Sequence, residues 1–220
     1  MPSVKRCKMN STRGENYMTT VTVDKRLITP SKIICIGRNY VKHIRELGNE
    51  LPDQMVVFLK PNSAISVELK SSHQGPLQYE SELSFLYEKG KFSAVGFGLD
   101  LTKRDLQSRL KERGLPWERA KAFDGSAIFS NFKKIPEITP SLTLELKIDS
   151  KIVQTGNVGS MIYKPEQILS ELSTFITLQD GDIVMTGTPE GVGVINPNQL
   201  FTGTIRDRGQ TVVSGEWLAD

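Results

Sequence analysis

The chain predicts an α+β fold that is rich in β-structure and carries only a few short helices. Three features lead to that reading: short apolar runs that stop at Gly or Pro, one stretch of regular alternation, and helical spacing confined to brief segments. The first apolar run, Ile33 to Ile36, reads as a buried strand ending at Gly37. Tyr40 to Leu47 lacks Gly and Pro and spaces Val41, Ile44 and Leu47 helically, which predicts one or two turns closed by Gly48. Met55 to Leu59 reads as a second strand, turned by Lys60-Pro61.

Tyr79 to Tyr87 alternates, with Tyr79, Leu83, Phe85 and Tyr87 on one side and Glu80, Glu82 and Ser84 on the other, so a half-buried strand is expected. A glycine-containing apolar strand through Gly96 and Gly98 ends at Asp100. A helix is then predicted over Lys103 to Arg113, capped by Thr102 and stopped by Gly114. Leu142 to Ile148 and Ile152 to Thr155 flank Asp149-Ser150-Lys151 as a hairpin, and Pro165 suits the first turn of a helix reaching about Ile176. Asp180-Gly181-Asp182 turns into Ile183-Val184-Met185, and the glycine-rich remainder predicts short strands and loops.

At 220 residues the chain can bury one sizeable core, so a loose leader over 1–20 and a single domain over 21–220 are expected. No apolar run is long enough to span a bilayer. Two cysteines support neither a disulfide framework nor a thiolate metal site, and a reducing compartment fits, cytoplasmic or, given the Arg and Ser of the leader, the mitochondrial matrix. The net charge of +3 is spread along the chain, with no basic stripe for nucleic acid.

Glu80 and Glu82, two apart on a strand, point the same way with Cβ atoms about 6–7 Å apart, close enough to converge on one ion or simply to decorate a solvated face. Asp100 is a third acid at a strand end, where ligands gather, or else a helix-start acid facing the dipole. Three carboxylates without Cys or His would select a hard cation, Mg²⁺, Mn²⁺ or Ca²⁺, and leave coordination positions open. His43 and Glu46 share a helix face and could act as an acid–base pair or stand as an idle exposed one. Arg104, Gln107 and Lys121 offer donors to an anion. Thr186-Gly187-Thr188-Pro189 could present backbone N–H groups and a hydroxyl to a carboxylate. His73 lies in a polar loop and reads as incidental.

In this order the motifs resemble the fumarylacetoacetate hydrolase family, over about Ile33 to Val213. The marks are Gly37-Arg38-Asn39-Tyr40 with His43 and Glu46, Phe58-Leu59-Lys60-Pro61, Glu80-Ser81-Glu82-Leu83, Leu99-Asp100-Leu101-Thr102 with Arg104 and Gln107, and Gly181-Asp182 leading to Thr186-Gly187-Thr188-Pro189. The resemblance implies a mixed β-roll, a homodimer, and Mg²⁺ or Mn²⁺ held by Glu80, Glu82 and Asp100. It implies further that His43 and Glu46 are catalytic on a mobile lid, with Lys121 beside the substrate and Arg38, Arg104, Gln107 and Thr188 contacting it. Gln78-Tyr79, where a histidine commonly precedes the acidic pair, and Phe123-Asp124-Gly125 depart from the pattern and leave the substrate open. The expected activity is cleavage of a C–C bond in an acylpyruvate-type 2-oxo acid. Oxaloacetate decarboxylation and dienedioate isomerisation on the same site are the alternatives, and a non-catalytic metal-stabilised binding protein is the rival of another class.

Overall fold

The computed structural model describes Cys7–Lys8, residues 17–46, Gly48 and residues 52–220. Tyr17–Met18 pairs with Cys7–Lys8, and Thr19 exchanges two hydrogen bonds with Asn62, so the chain is tied to the body before residue 21. Leu47 and the leader's Lys5, Arg6 and Arg13 lie outside the described residues.

Two sheets form the body. The larger contains β1 (Lys32–Gly37), β2 (Val56–Pro61), β3 (Ile65–Ser66), β4 (Ser81–Glu88), β5 (Lys91–Asp100), β6 (Ala127–Phe129) and β7 (Lys133–Lys134). The smaller contains β8 (Thr143–Ile148) and β9 (Lys151–Asn157), and the chain then returns to the larger sheet as β10 (Ile183–Met185). It ends in the smaller sheet as β11 (Leu200–Asp207) and β12 (Gln210–Leu218). The larger sheet runs β2-β1-β10-β4-β5-β6-β3, with β7 also on β5, and the smaller runs β9-β8-β11-β12. β10 is parallel to β1 and antiparallel to β4, so the larger sheet is mixed.

Both faces of the larger sheet are covered, and that explains its sequence. Ile34, Ile36, Leu83, Phe85, Val95 and Phe97 point into the layer shared with the smaller sheet, whereas Ile33, Cys35, Leu86, Ala94 and Met185 pack on the opposite face with Val21 and Val23. A strand buried on both faces reads as a continuous apolar run, as β1 does. The sheets approach closely at Gly203, where an added Cβ would lie 2.4 Å from the Phe97 ring. Phe97 in turn stacks on Trp217 at 5.9 Å.

The alternation over Tyr79 to Tyr87 therefore misleads. β4 is buried from Ser81 through Leu86 because it lies between β10 and β5 and is covered on both faces, so the acidic side is interior. The hairpin between β8 and β9 is present, with Asp149 and Ser150 both at positive φ (49° and 68°), as a tight turn matching strand twist requires.

Besides two 3₁₀ turns (Asn62–Ala64 and Val158–Ser160) and two further short strand pairs (Val21–Val23 with Arg26–Ile28, Gln78–Tyr79 with Gly193–Val194), the described residues form four α-helices: α1 (Val41–Glu46), α2 (Arg104–Glu112), α3 (Glu118–Lys121) and α4 (Pro165–Leu172). None is long and apolar enough to cross a membrane. Lys103, not Thr102, occupies the position before α2, because the Thr102 hydroxyl is engaged by Lys121. α4 stops at Leu172 rather than near Ile176.

Asp182 joins these parts. Fully buried before β10, it accepts the Ser31 N–H (3.2 Å) and hydroxyl (2.6 Å), the Lys32 N–H (3.2 Å) and ammonium (2.5 Å), and the Gln179 N–H (2.8 Å). Burial works against its charge, but the bonds from Gln179, Lys32 and Ser31 outweigh it and lower its pKa. Asp182→Ala orphans these donors and should cost about 3 kcal/mol, a fall in Tm of roughly 6–12 °C by calorimetry. A carboxyl whose folded pKa is depressed stabilises above its unfolded value and loses that contribution as pH falls through the folded one. The wild type should therefore lose stability below about pH 4 more steeply than Asp182→Asn.

Candidate active site

The β4–β5 register assembles the acidic cluster. Gly98 faces Glu82 and Leu99 faces Ser81, and the Asp100 N–H donates to the Glu80 carbonyl at 2.8 Å, so Asp100 stands across from Glu80. Residues opposite each other on neighbouring strands share a face. The three carboxylates meet with one oxygen of each inside 4.8 Å of the others, all buried.

Cations answer two of them. From α3, Lys121 places its ammonium 2.6 Å from Asp100, 2.9 Å from Glu80 and 2.6 Å from the Thr102 hydroxyl. Lys60, on β2, is completely buried, sits 2.8 Å from the other Asp100 oxygen and donates to the Lys121 carbonyl. Arg104 binds Glu80, and its remaining nitrogens reach Gln78 (3.0 Å) and Gln107 (2.8 Å). Burial pushes the Glu80 carboxyl up, yet Lys121 and Arg104 overcome that and hold it well below the usual carboxylate range. Burial likewise opposes the charge on Lys121, and Asp100 and Glu80 outweigh it, so its pKa is raised.

Glu82 differs. Among the described residues its one hydrogen bond comes from the Gly187 N–H (2.7 Å), and burial, then Asp100 and Glu80, push its carboxyl well above the usual range. A buried acid that the protein leaves short of positive charge, beside two more carboxylates and no soft donor, suits a hard divalent cation. Glu80, Glu82 and Asp100 can hold Mg²⁺ or Mn²⁺ and leave positions for other oxygens.

The roof is α1 with the loop after β10. His43 is buried, and its Nδ1 lies 3.2 Å from Glu46, which in turn accepts the Gly191 N–H at 3.0 and 3.2 Å. With Nδ1 taken as the donor, the other ring nitrogen is left as an acceptor. Gly187 takes φ +96° to turn its N–H to Glu82. Thr188 faces the same cleft while its hydroxyl accepts from Gln154 at 2.9 Å. Arg38 lines the cleft from the end of β1, at a φ of 56° that few non-glycine residues adopt. The cleft has about 40 Å³ of free space, room for two or three waters at roughly 15 Å³ each.

All ten residues singled out from the sequence, Arg38, His43, Glu46, Glu80, Glu82, Asp100, Arg104, Gln107, Lys121 and Thr188, thus lie in or against one cleft. His73 is elsewhere, edge-on to Phe123 at 5.1 Å. Lys60, Gln154, Lys111 and Trp117 were not read as site residues. Lys60 stood in a marked motif without a role, and Lys111 follows Arg104 by two helical turns, whereas nothing local signals Gln154.

A mixed β-fold that gathers three carboxylates beneath a histidine–glutamate pair defines a carboxylate-lined cleft with the donor set for a hard cation. The chain belongs to the fumarylacetoacetate hydrolase family: the family model described as Fumarylacetoacetate (FAA) hydrolase C-terminal matches residues 32–217. It is 37% identical over 193 residues to "Oxaloacetate tautomerase YcgM" of Escherichia coli, covering 79% of this chain and 88% of that one. It is 35% identical over 194 residues to "Oxaloacetate decarboxylase, mitochondrial" of Dictyostelium discoideum, with coverages of 79% and 88%. Its fold is similar to fumarylpyruvate hydrolase from Pseudomonas aeruginosa, solved with Mn²⁺ and pyruvate, at TM-score 0.85 and 29% identity, covering 96% of this chain and 100% of that one.

Gly187→Ala tests the turn over Glu82. Its Cβ would stand 2.8 Å from the Asn39 Cβ and 3.0 Å from the Ile36 carbonyl at positive φ, which should cost about 1–3 kcal/mol in thermal unfolding. Gly209→Ala, also at positive φ but in open space, should cost less.

Proposed function

We propose that this protein interconverts the keto and enol forms of oxaloacetate, moving a proton at C3 in a site loaded with Mg²⁺ or Mn²⁺. The observation that carries the reading is the placement of the His43–Glu46 pair and the buried all-oxygen triad on one cleft. The named relatives favour oxaloacetate over the acylpyruvate expected from the sequence; decarboxylation was the expected alternative, and keto–enol interconversion is a reading that the relatives' names add.

A divalent cation on Glu80, Glu82 and Asp100 would supply Lewis-acid stabilisation of negative charge on the 2-oxo oxygen. His43, its Nδ1–H directed to Glu46, takes the C3 proton on its free ring nitrogen. Glu46 stabilises the imidazolium and is itself fixed by Gly191. His43 then returns the proton to the C2 oxygen to give the enol. Lys121 presents a positive charge beside that oxygen, and Arg104, held by Glu80, Gln78 and Gln107, directs cationic N–H groups at a substrate carboxylate. Decarboxylation uses the same electron flow, with the C3–C4 bond breaking, carbon dioxide leaving and C3 gaining the proton.

The second reading is C–C hydrolysis, supported by the fold and cation of the fumarylpyruvate hydrolase, with His43 activating water. It needs an extra water next to the substrate in a small cleft. A non-catalytic binding protein would have no use for the His43–Glu46 pair.

The test is the chelator-stripped protein with and without Mg²⁺ or Mn²⁺, following loss of enol-oxaloacetate absorbance, release of pyruvate from oxaloacetate, and cleavage of acetylpyruvate. Cation-dependent enol–keto conversion is expected to be the fastest. Dominant acetylpyruvate cleavage would make the protein a hydrolase, and silence on all three would leave a dienedioate isomerase or a binding protein. Asp100→Ala should abolish turnover together with the cation-induced rise in Tm, which at 100 times Kd corresponds to about 2.7 kcal/mol in the wild type. His43→Ala should keep that rise and slow turnover by about 10²- to 10⁴-fold.

A further inference from the structure

α2 lines the cleft with Arg104, Gln107 and Lys111, a spacing of three and then four residues that puts all three side chains on one helix face. Arg104 and Gln107 belong to the network on Glu80. Lys111 begins two turns, about 10 Å, farther along the axis. Its ammonium stands 4.5 Å over the Trp117 ring, and Trp117 lies 6.2 Å from the Phe58 ring, so this end of the cleft pairs a cation with an apolar wall. The charges acting on Lys111 are those of Arg38, Arg104 and Lys121 against the single acid Glu80, which is already bonded to Arg104 and Lys121. Burial first, and then repulsion from Arg38 and Arg104, bring the Lys111 ammonium down to about 8. An anion arriving here meets a partly desolvated cation that, among the described residues, has no acid paired with it.

We infer that Lys111 is a specificity-determining residue that binds the distal carboxylate of a 2-oxo dicarboxylate whose oxo-acid end faces Glu80, Glu82 and Asp100. The inference rests on the reading of the site given above and adds a reason for selecting a dicarboxylate over a monocarboxylate. At the inner end, three carboxylates are matched by Lys60, Lys121 and Arg104, so a divalent cation leaves an excess of two positive charges there. Lys111 adds a further positive charge to the cleft, so a dianion offsets more of the excess than a monoanion does, and Lys111 gives its second carboxylate a fixed position.

Malate and lactate share the 2-hydroxycarboxylate end and differ in the distal carboxylate, so their binding isolates it without turnover. Titration calorimetry on the Mg²⁺-loaded protein should find malate bound about tenfold or more tightly than lactate, the worth of one charge-assisted hydrogen bond. Lys111→Met should bring that ratio close to one with lactate affinity unchanged, and Lys111→Arg should keep most of it. An unchanged ratio in Lys111→Met, a wild-type ratio near one, or binding of neither ligand overturns the inference. A wild type that prefers malate yet leaves oxaloacetate untouched would remove the activity reading instead, with the role of Lys111 in dicarboxylate binding intact.

Discussion

Three carboxylates converging in a space closed to solvent is the constraint on which the rest of this molecule depends. Like charges at that separation repel strongly where water cannot screen them, so each must be matched or protonated. Lys60 and Lys121 answer Asp100, and Lys121 and Arg104 answer Glu80, while Glu82 is left with a backbone N–H. The cluster is matched in charge as a whole, but Glu82 has no cation bonded to it, and there a hard cation fits.

The fold meets that constraint through its layers. Because the larger sheet is covered on both faces, the end of β4 and the end of β5 open into the interior, and the acids there are shielded. β2 and α3 bring the two lysines to the same point from opposite sides in sequence, and the Lys60 bond to the Lys121 carbonyl locks them together. Asp182 does similar work at the far end of the sheet, with paired and hydrogen-bonded charge that is costly to break.

The His43–Glu46 pair, the proposed acid–base group, sits above the acidic floor of the cleft on α1. α1 is short, and it is held to the body by Tyr40, by the Glu46 contact with Gly191 and by the exposed Lys42–Glu190 pair. Of these contacts, the exposed Lys42–Glu190 pair is weak beside the buried network of the floor. The proposed proton transfer relies on these two parts, a charge-matched acidic floor and the His43–Glu46 pair above it.

Much of this was legible in the chain itself. The strand at Ile33 to Ile36, the hairpin at Asp149-Ser150 and the helix after Asp100 follow from apolar runs and turn residues, which act locally. The acids, the His43–Glu46 pair and the glycine loop were visible as residue types, each open to an idle surface reading, and their roles followed from the resemblance of the ordered motifs to the family. The burial of β4 was not visible, since alternation looks the same whether the polar face meets water or a second layer. Nor were Lys60, Gln154 and Lys111, whose roles arise from neighbours far away in sequence. Local preference settles which segments are strands and helices; only tertiary packing decides which face is wet, and so which charges must find partners.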